Sequence, residues 1–218
     1  MWIVKFKNWH KTCLIRPLCV KYNVTDFVYL LNNWYKGKKM YYTELHILEG
    51  DEKNIWKFIR EFKKEKSLVK FEVDGNQIFT LNVLGGKYVT TYSYVFNPEL
   101  IYVKPVVQRT DGFEDWELAS WNKEILMKIM KIPHFEMELI SIQEIRGANL
   151  FLPQIQPKIS KKQKEAIKFA IEKGYYNFPR KVNLDDLSSK AKVSKQTFQE
   201  NLRKAENKLV PFLVGGLR

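Results

Sequence analysis

The sequence predicts an α+β chain in two parts, strands and amphipathic helices mixed over residues 1–152, then helices alone over 158–218. Three observations carry that prediction. Segments rich in aromatic and β-branched residues, the mark of strands, fall in the first part. Two strand–helix–strand runs there echo each other on similar spacing. The last part repeats apolar residues every three or four positions, the buried stripe of a helix. Between them, Phe151-Leu-Pro-Gln-Ile-Gln-Pro157 holds two prolines and no periodicity. Residues 153–157 read as an extended linker, too short to leave the two domains wholly independent in orientation.

Trp2, Val4 and Phe6 alternate with Lys5 and Lys7, a strand over 2–7. A short helical segment follows around Cys13–Tyr22, interrupted by Pro17. Phe27–Leu31 and Tyr41–Leu48 read as strands. Asp51 opens a helix through Lys64 whose apolar face is Ile55, Trp56, Ile59 and Phe62. Val69–Val73 and Gln77–Leu84 pair across Asp74-Gly75-Asn76, because Asp-Gly supplies the positive φ of a hairpin turn. After Gly85-Gly86, strands are expected at Tyr88–Val95 and Leu100–Val107, and at Glu114–Ser120 beyond the turn signal Thr110-Asp111-Gly112. Asn122 can cap a helix to about Lys131, with Ile125, Leu126, Ile129 and Met130 inward. Phe135–Ile142 closes as a strand, and Asn149–Leu152 is a candidate last one.

The echo joins Tyr42-Thr-Glu-Leu45, helix, Val69-Lys-Phe-Glu-Val73 to Asp115-Trp-Glu-Leu118, helix, Phe135-Glu-Met-Glu-Leu139. The helix faces correspond as well, Ile55, Trp56 and Ile59 against Ile125, Leu126 and Ile129. Such a repeat fits a duplicated module of the ferredoxin-like or ACT-like kind. An unrelated α+β domain that merely alternates strands and helices is the alternative.

Lys and Arg total 37 against 24 Asp and Glu, a net charge of +13. From Lys158 to Arg218 there are 15 basic and 6 acidic residues, a net of +9, against +4 for the rest. The excess therefore sits on the helical part and points to a polyanionic partner. Cys13 and Cys19 match no common zinc spacing, and His10, His46 and His134 are scattered, so neither a metal site nor a cofactor is expected. Two lone thiols fit a reducing cytoplasm. The charged N-terminus is no secretory signal, and no run approaches the roughly 20 apolar residues of a membrane span. The acidic group Asp111, Glu114, Asp115 and Glu117 reads as a polar turn entering a strand, and His134 as a helix-end residue. Trp34, Tyr35, Tyr41 and Tyr42 read by default as core aromatics, with a ligand pocket or an interface as the alternatives. With no phosphate-binding loop and no nucleophile matched to a base, no catalytic residue and no enzyme is expected.

In the helical part, Ser160-Lys-Lys-Gln163 is a capping box, opening a helix expected to bury Ala166, Ile167, Ala170 and Ile171 and to end at Gly174. Asn183 can cap a second helix with Leu184, Leu187 and Ala191 inward. Val193 is expected to plug the following turn, and Ser194 to cap a third helix with the stripe Phe198, Leu202, Ala205 and Leu209. This is a helix-turn-helix. On its third helix Lys195, Gln196, Gln199 and Arg203 are placed to read base edges in the major groove. Lys161, Lys162, Arg180, Lys181, Ser194, Thr197 and Lys204 are placed to bind phosphate, and Glu200 to pair with Lys204.

Over about 158–210, Ile159-Ser-Lys-Lys-Gln-Lys-Glu-Ala-Ile167, Gly174-Tyr-Tyr-Asn-Phe-Pro-Arg-Lys-Val182, Val193-Ser-Lys-Gln-Thr-Phe198 and Leu202-Arg-Lys-Ala-Glu-Asn-Lys-Leu209 resemble the helix-turn-helix of the archaeal bacterio-opsin activator family. The Gly-Tyr-aromatic-x-x-Pro-Arg-basic loop is the distinctive part. The third helix is also similar, more broadly, to region four of bacterial sigma factors, and Asp111-Gly-Phe-Glu-Asp-Trp-Glu117 loosely to the segment upstream of the domain. The resemblance implies a transcriptional regulator that binds double-stranded DNA, and the lack of a signal or span in the sequence points to the cytoplasm. Its N-terminal domain would dimerise or sense a small-molecule or protein effector. A homodimer follows from the usual match of two reading heads to half-sites about 34–36 Å apart. Two residues depart from the family pattern, Lys192 where the turn usually has Gly and Ser188 where the helix contact usually has Ala. The alternatives are a protein–protein adaptor of the transcription machinery and a non-specific nucleic-acid-binding protein.

Overall fold

In a computed structural model the chain forms two units, Met1–Leu152 and Pro153–Arg218. The structure describes residues 1–11, 13–132, 134–146 and 159–215, without the side chains of Lys87 and Gly215. The linker expected at 153–157 and the candidate strand Asn149–Leu152 lie outside the described residues.

The first unit is α+β. Its elements are β1 (Trp2–His10), α1 (Arg16–Tyr22), β2 (Thr25–Lys36), β3 (Lys39–Glu49), α2 (Glu52–Phe62), β4 (Leu68–Asp74) and β5 (Gln77–Leu84). They continue with α3 (Lys87–Val95), β6 (Ile101–Tyr102), β7 (Val106–Gln108), β8 (Glu114–Ser120), α4 (Lys123–Ile129) and β9 (Phe135–Glu144). The described strands form one nine-stranded antiparallel sheet in the order β4-β5-β3-β2-β7-β8-β1-β9, with β6 beside β8. Outward from the β2–β7 seam, both halves follow one plan. The seam strand (β2 or β7) is followed by its sequence neighbour (β3 or β8), then a strand from elsewhere in the chain (β5 or β1). Outermost is the strand that returns through a helix, β4 after α2 or β9 after α4. The two segments that echo each other in sequence are these returns, β3–α2–β4 and β8–α4–β9. The seam is short: Asp26, Phe27 and Val28 pair with Gln108, Val107 and Val106.

Helices cover one sheet face and divide its core. Leu18 and Cys19 of α1 and Ile55, Phe58, Ile59 and Phe62 of α2 pack with Leu48 and Ile78. Ile125, Leu126 and Ile129 of α4 pack with Val4, Phe6, Trp116 and Leu118. Asp51 caps α2 by accepting from the Lys53 and Asn54 N–H groups, and Asn122 caps α4 through the Glu124 N–H.

Four sequence expectations are corrected. Trp56 is 48% exposed and Phe58 is buried in its stead, because residues 55, 58, 59 and 62 form one helical stripe and position 56 lies about 100° from residue 55. Pro17 occupies the first turn of α1, where its missing N–H has no intrahelical partner to lose, so it starts the helix and does not interrupt it. Tyr88–Val95 is helix α3, not a strand. Its Val89 and Tyr92 and the following Phe96 recur at helical spacing and pack on the core, and that burial overrides the strand preference of its aromatic and β-branched residues. Leu100–Val107 is split into β6 and β7, with Pro105, which cannot donate to a ladder, in the gap.

Beneath the helices a polar row crosses the sheet. The strand register puts Asn82 and Thr80 of β5, Glu44 and His46 of β3, Asp26 of β2, Gln108 of β7, Glu114 of β8, and Asn8 and His10 of β1 on one face. His46 is fully buried and its Nδ1 lies 2.7 Å from Asp26 Oδ2, with Glu44 Oε2 3.6 Å from Nε2. Burial pulls the His46 pKa down, but the charge and hydrogen bond of Asp26, aided by Glu44, outweigh it and raise the pKa to about 10.

Candidate nucleic-acid interface

Three helices make the second unit: α5 (Lys161–Glu172), α6 (Leu184–Ala191) and α7 (Lys195–Gly215). Each begins on a side-chain cap of the kind that satisfies the free N–H groups of a first turn. Ser160 and Gln163 form a reciprocal capping box on α5, and Asn183 and Asp186 form another on α6. The Ser194 hydroxyl accepts from the Thr197 N–H at 3.1 Å and meets the Thr197 hydroxyl at 2.8 Å. Ala166, Ala170, Leu187, Phe198 and Leu202 form the shared core, and Ala205 is fully buried.

Two inward assignments are corrected. Ile171 is 60% exposed and Val193 is 44% exposed. The core takes Phe169, partly buried, beside Phe198, together with the fully buried Leu187. The turn itself is held by backbone bonds, Lys192 N–H to Ser189 and Val193 N–H to Ser188, so it needs no apolar plug. Ser188 is buried and its hydroxyl donates to the Asp185 carbonyl at 3.0 Å, which is how the helix contact accepts a residue larger and more polar than alanine. Lys192 has φ 56 and ψ 39, the left-handed region, where a Cβ is strained. Lys192→Gly should therefore raise the stability of this unit by about 1 kcal/mol, seen as a higher helix-melting midpoint. An unchanged or lower midpoint would show that the turn stores no such strain.

The loop between α5 and α6 is closely tied to the helices. Gly174 has φ 79, and a Cβ there would lie 3.0 Å from the Lys181 side chain, so this position requires glycine twice over. The Arg180 guanidinium lies 4.5 Å from the centre of the Tyr175 ring, a cation–π contact. The Tyr176 hydroxyl donates to Glu206 on α7. Phe178–Pro179 is a cis peptide and Phe178 is fully exposed.

On α7, Phe198, Leu202 and Ala205 define the buried stripe. At 100° per residue, the opposite face holds Gln196, Glu200, Arg203 and Asn207, all exposed, with the half-buried Gln199 at its edge. Lys195 stands to the side and its Nζ lies 2.8 Å from Asp185 on α6. Lys204 pairs with Glu200 at 2.5 Å and holds that carboxyl below its ordinary range. Lys161 lies 4.0 Å from Glu165, and the exposed Lys162 shares the α5 N-terminus with it. Exposed surface pairs of this kind contribute about 0–1 kcal/mol, so they yield readily to a polyanion. Asn207 is missing from the residues expected on this face, although its spacing of four from Arg203 is visible in the sequence.

Residues 159–211 match the family model described as an HTH DNA binding domain. This segment is a DNA-binding helix-turn-helix of the bacterio-opsin activator type. No curated protein matches the chain. The activator-type domain spans all of α5 and α6, the loop with Gly174 and Arg180, and α7 as far as Pro211. The nine-stranded sheet lies outside it. Among the described residues, no helix is long and apolar enough to cross a membrane.

Proposed function

We propose that the chain is a sequence-specific transcriptional regulator that sets α7 in the major groove of double-stranded DNA. The exposed polar face of α7, opposite its buried stripe and inside a matched DNA-binding domain, carries this reading. Gln196, Gln199 and Arg203 read bases: glutamine offers paired hydrogen bonds to adenine and arginine to guanine. Lys195 joins them by exchanging Asp185 for DNA. Lys161, Lys162, Arg180, Lys181 and Lys204, with the hydroxyls of Ser194 and Thr197, hold phosphates, giving affinity and register without sequence information. The chemistry is that of a regulator, not an enzyme.

The sheet unit serves dimerisation or effector sensing, in the cytoplasm of an archaeal cell, and is a duplicated ferredoxin-like or ACT-like module. The common strand plan of its two halves supports the duplication. A homodimer would present two α7 helices to half-sites about 34–36 Å apart.

Selection of duplexes from a randomised pool by the full chain tests the reading. The expected result is one enriched sequence bound at least about 10³-fold more tightly than unrelated DNA at physiological salt. Equal binding to all duplexes, falling steeply with salt, would replace it with the non-specific reading. No DNA binding, with capture of transcription machinery by the same chain, would replace it with the adaptor.

A further inference from the structure

We propose that the sheet unit holds a divalent transition-metal ion of the zinc class, ligated by His10, Cys13 and Glu114. All three residues are buried. A ring nitrogen, the Cys13 Sγ and a carboxylate oxygen lie within 4.8 Å of one another. Nitrogen, sulfur and carboxylate oxygen are the donors zinc takes, and bonds of about 2.0–2.3 Å in a tetrahedron ask for donors roughly 3.3–3.8 Å apart. Small side-chain rotations close that difference.

The donors are already oriented. The His10 ring lies flat against Phe135, centroids 4.2 Å apart and planes 5° from parallel, and its Nε2 is 3.1 Å from Glu114 Oε1. The other oxygen, Glu114 Oε2, accepts from Asn8 Nδ2 and Trp116 Nε1, both at 2.8 Å. Supporting bonds to the far oxygen are how ligating carboxylates are held, and they aim Oε1 at the ion. The Arg16 backbone N–H donates to Cys13 Sγ at 3.3 Å, a bond that strengthens when the sulfur is charged.

Size separates an ion from an organic ligand. The adjoining cavity, lined by these three residues with Gln108, Tyr42 and Glu44 among others, has a volume of about 80 Å³. That is far below the roughly 300 Å³ at which small-molecule sites begin. It suits an ion with a water or two, since one water occupies about 30 Å³. Gln108 Oε1, 3.5 Å from Cys13 Sγ, adds an oxygen at the rim.

The proton count closes. A coordinated divalent ion deprotonates a bound thiol. The S–H bond breaks, a metal–sulfur bond forms and the proton leaves to solvent. His10 supplies a ring-nitrogen lone pair. One thiolate and one carboxylate then neutralise the ion, so no net charge is buried.

Cobalt titration of the chelator-treated full chain is the test. The wild type should take up one equivalent of Co²⁺ with a thiolate-to-metal charge-transfer band, bleached by Zn²⁺. Cys19→Ser provides the control, because Cys19 lies in the α1–α2 core, and it should keep the band. Cys13→Ser should lose it, with circular dichroism reporting the fold. Asn8→Ala should keep the band but weaken affinity about 10–100-fold, which tests the site even if the cysteine variant does not fold. No band from wild type, a band retained by Cys13→Ser, or a band lost in a folded Cys19→Ser would each overturn the proposal.

Discussion

If α7 reads bases as proposed, replacing Gln196 and Arg203 together by alanine should sharply cut the preference of the chain for one DNA sequence while sparing most of its affinity for unrelated DNA. Both side chains stand on the exposed face of α7. Neither belongs to the core formed by Phe198 and Leu202, so the helix should fold unchanged. Each bidentate base contact discriminates by about 1–3 kcal/mol, so the pair should cost roughly 30-fold to 10⁴-fold in the ratio of specific to non-specific affinity. Competition titrations read by fluorescence anisotropy measure that ratio. Lys161→Ala with Lys162→Ala should behave differently. It should weaken binding to every sequence alike and flatten the salt dependence by about 0.9 in log–log slope for each phosphate no longer neutralised. A double variant of Gln196 and Arg203 with undiminished selectivity would remove α7 as the reading helix.

The second large effect concerns the sheet. Asp26→Ala should destabilise the first unit by about 3–5 kcal/mol, the usual cost of removing one partner of a buried ion pair. His46 has no exposure to water, and Asp26 Oδ2 at 2.7 Å is its closest charged partner. The pair also sets a pH dependence. The folded-state pKa of His46, about 10, lies above the ordinary value near 6.5. The stabilisation is therefore complete below about pH 6.5 and is lost as pH rises through 10, with a slope of at most about 1.4 kcal/mol per unit from this group. All six tryptophans precede residue 122, so tryptophan fluorescence in urea follows this unit alone. Wild type should lose midpoint between pH 6.5 and 10, and Asp26→Ala should show a lower midpoint with a flatter profile. Equal slopes in the two proteins would mean that another group titrates.

What can be read from sequence follows the range of the interactions involved. The helix-turn-helix is legible because its determinants are local: caps act over three residues, the stripe recurs every three or four, and the left-handed Lys192 is visible as a missing glycine. The strand–helix–strand echo is legible for the same reason, and both segments fall on equivalent returns of the sheet. The polar row is not. Glu114 looks like part of an acidic turn, and only the register of β8 against β1 brings it to Asn8 and to His10 and Cys13. Segment α3 misleads because its residues favour strands in isolation, while its burial depends on Phe96, Tyr42 and other residues of a core assembled from distant strands.

The route of the chain through the sheet also orders events during synthesis. β1 leaves the ribosome well before its partners β8 and β9, with Trp2 opposite Ser120 on one edge and Glu144 on the other. Both of its edges thus wait unpaired while more than a hundred residues are made. The intervening strands β2 to β5 pair among themselves over 25–84 and can close early. Long-range pairing is slow, and an open apolar strand recruits other chains. Lys5 and Lys7, charged side chains set between the apolar positions of β1, are well placed to keep nascent copies apart until β9 arrives.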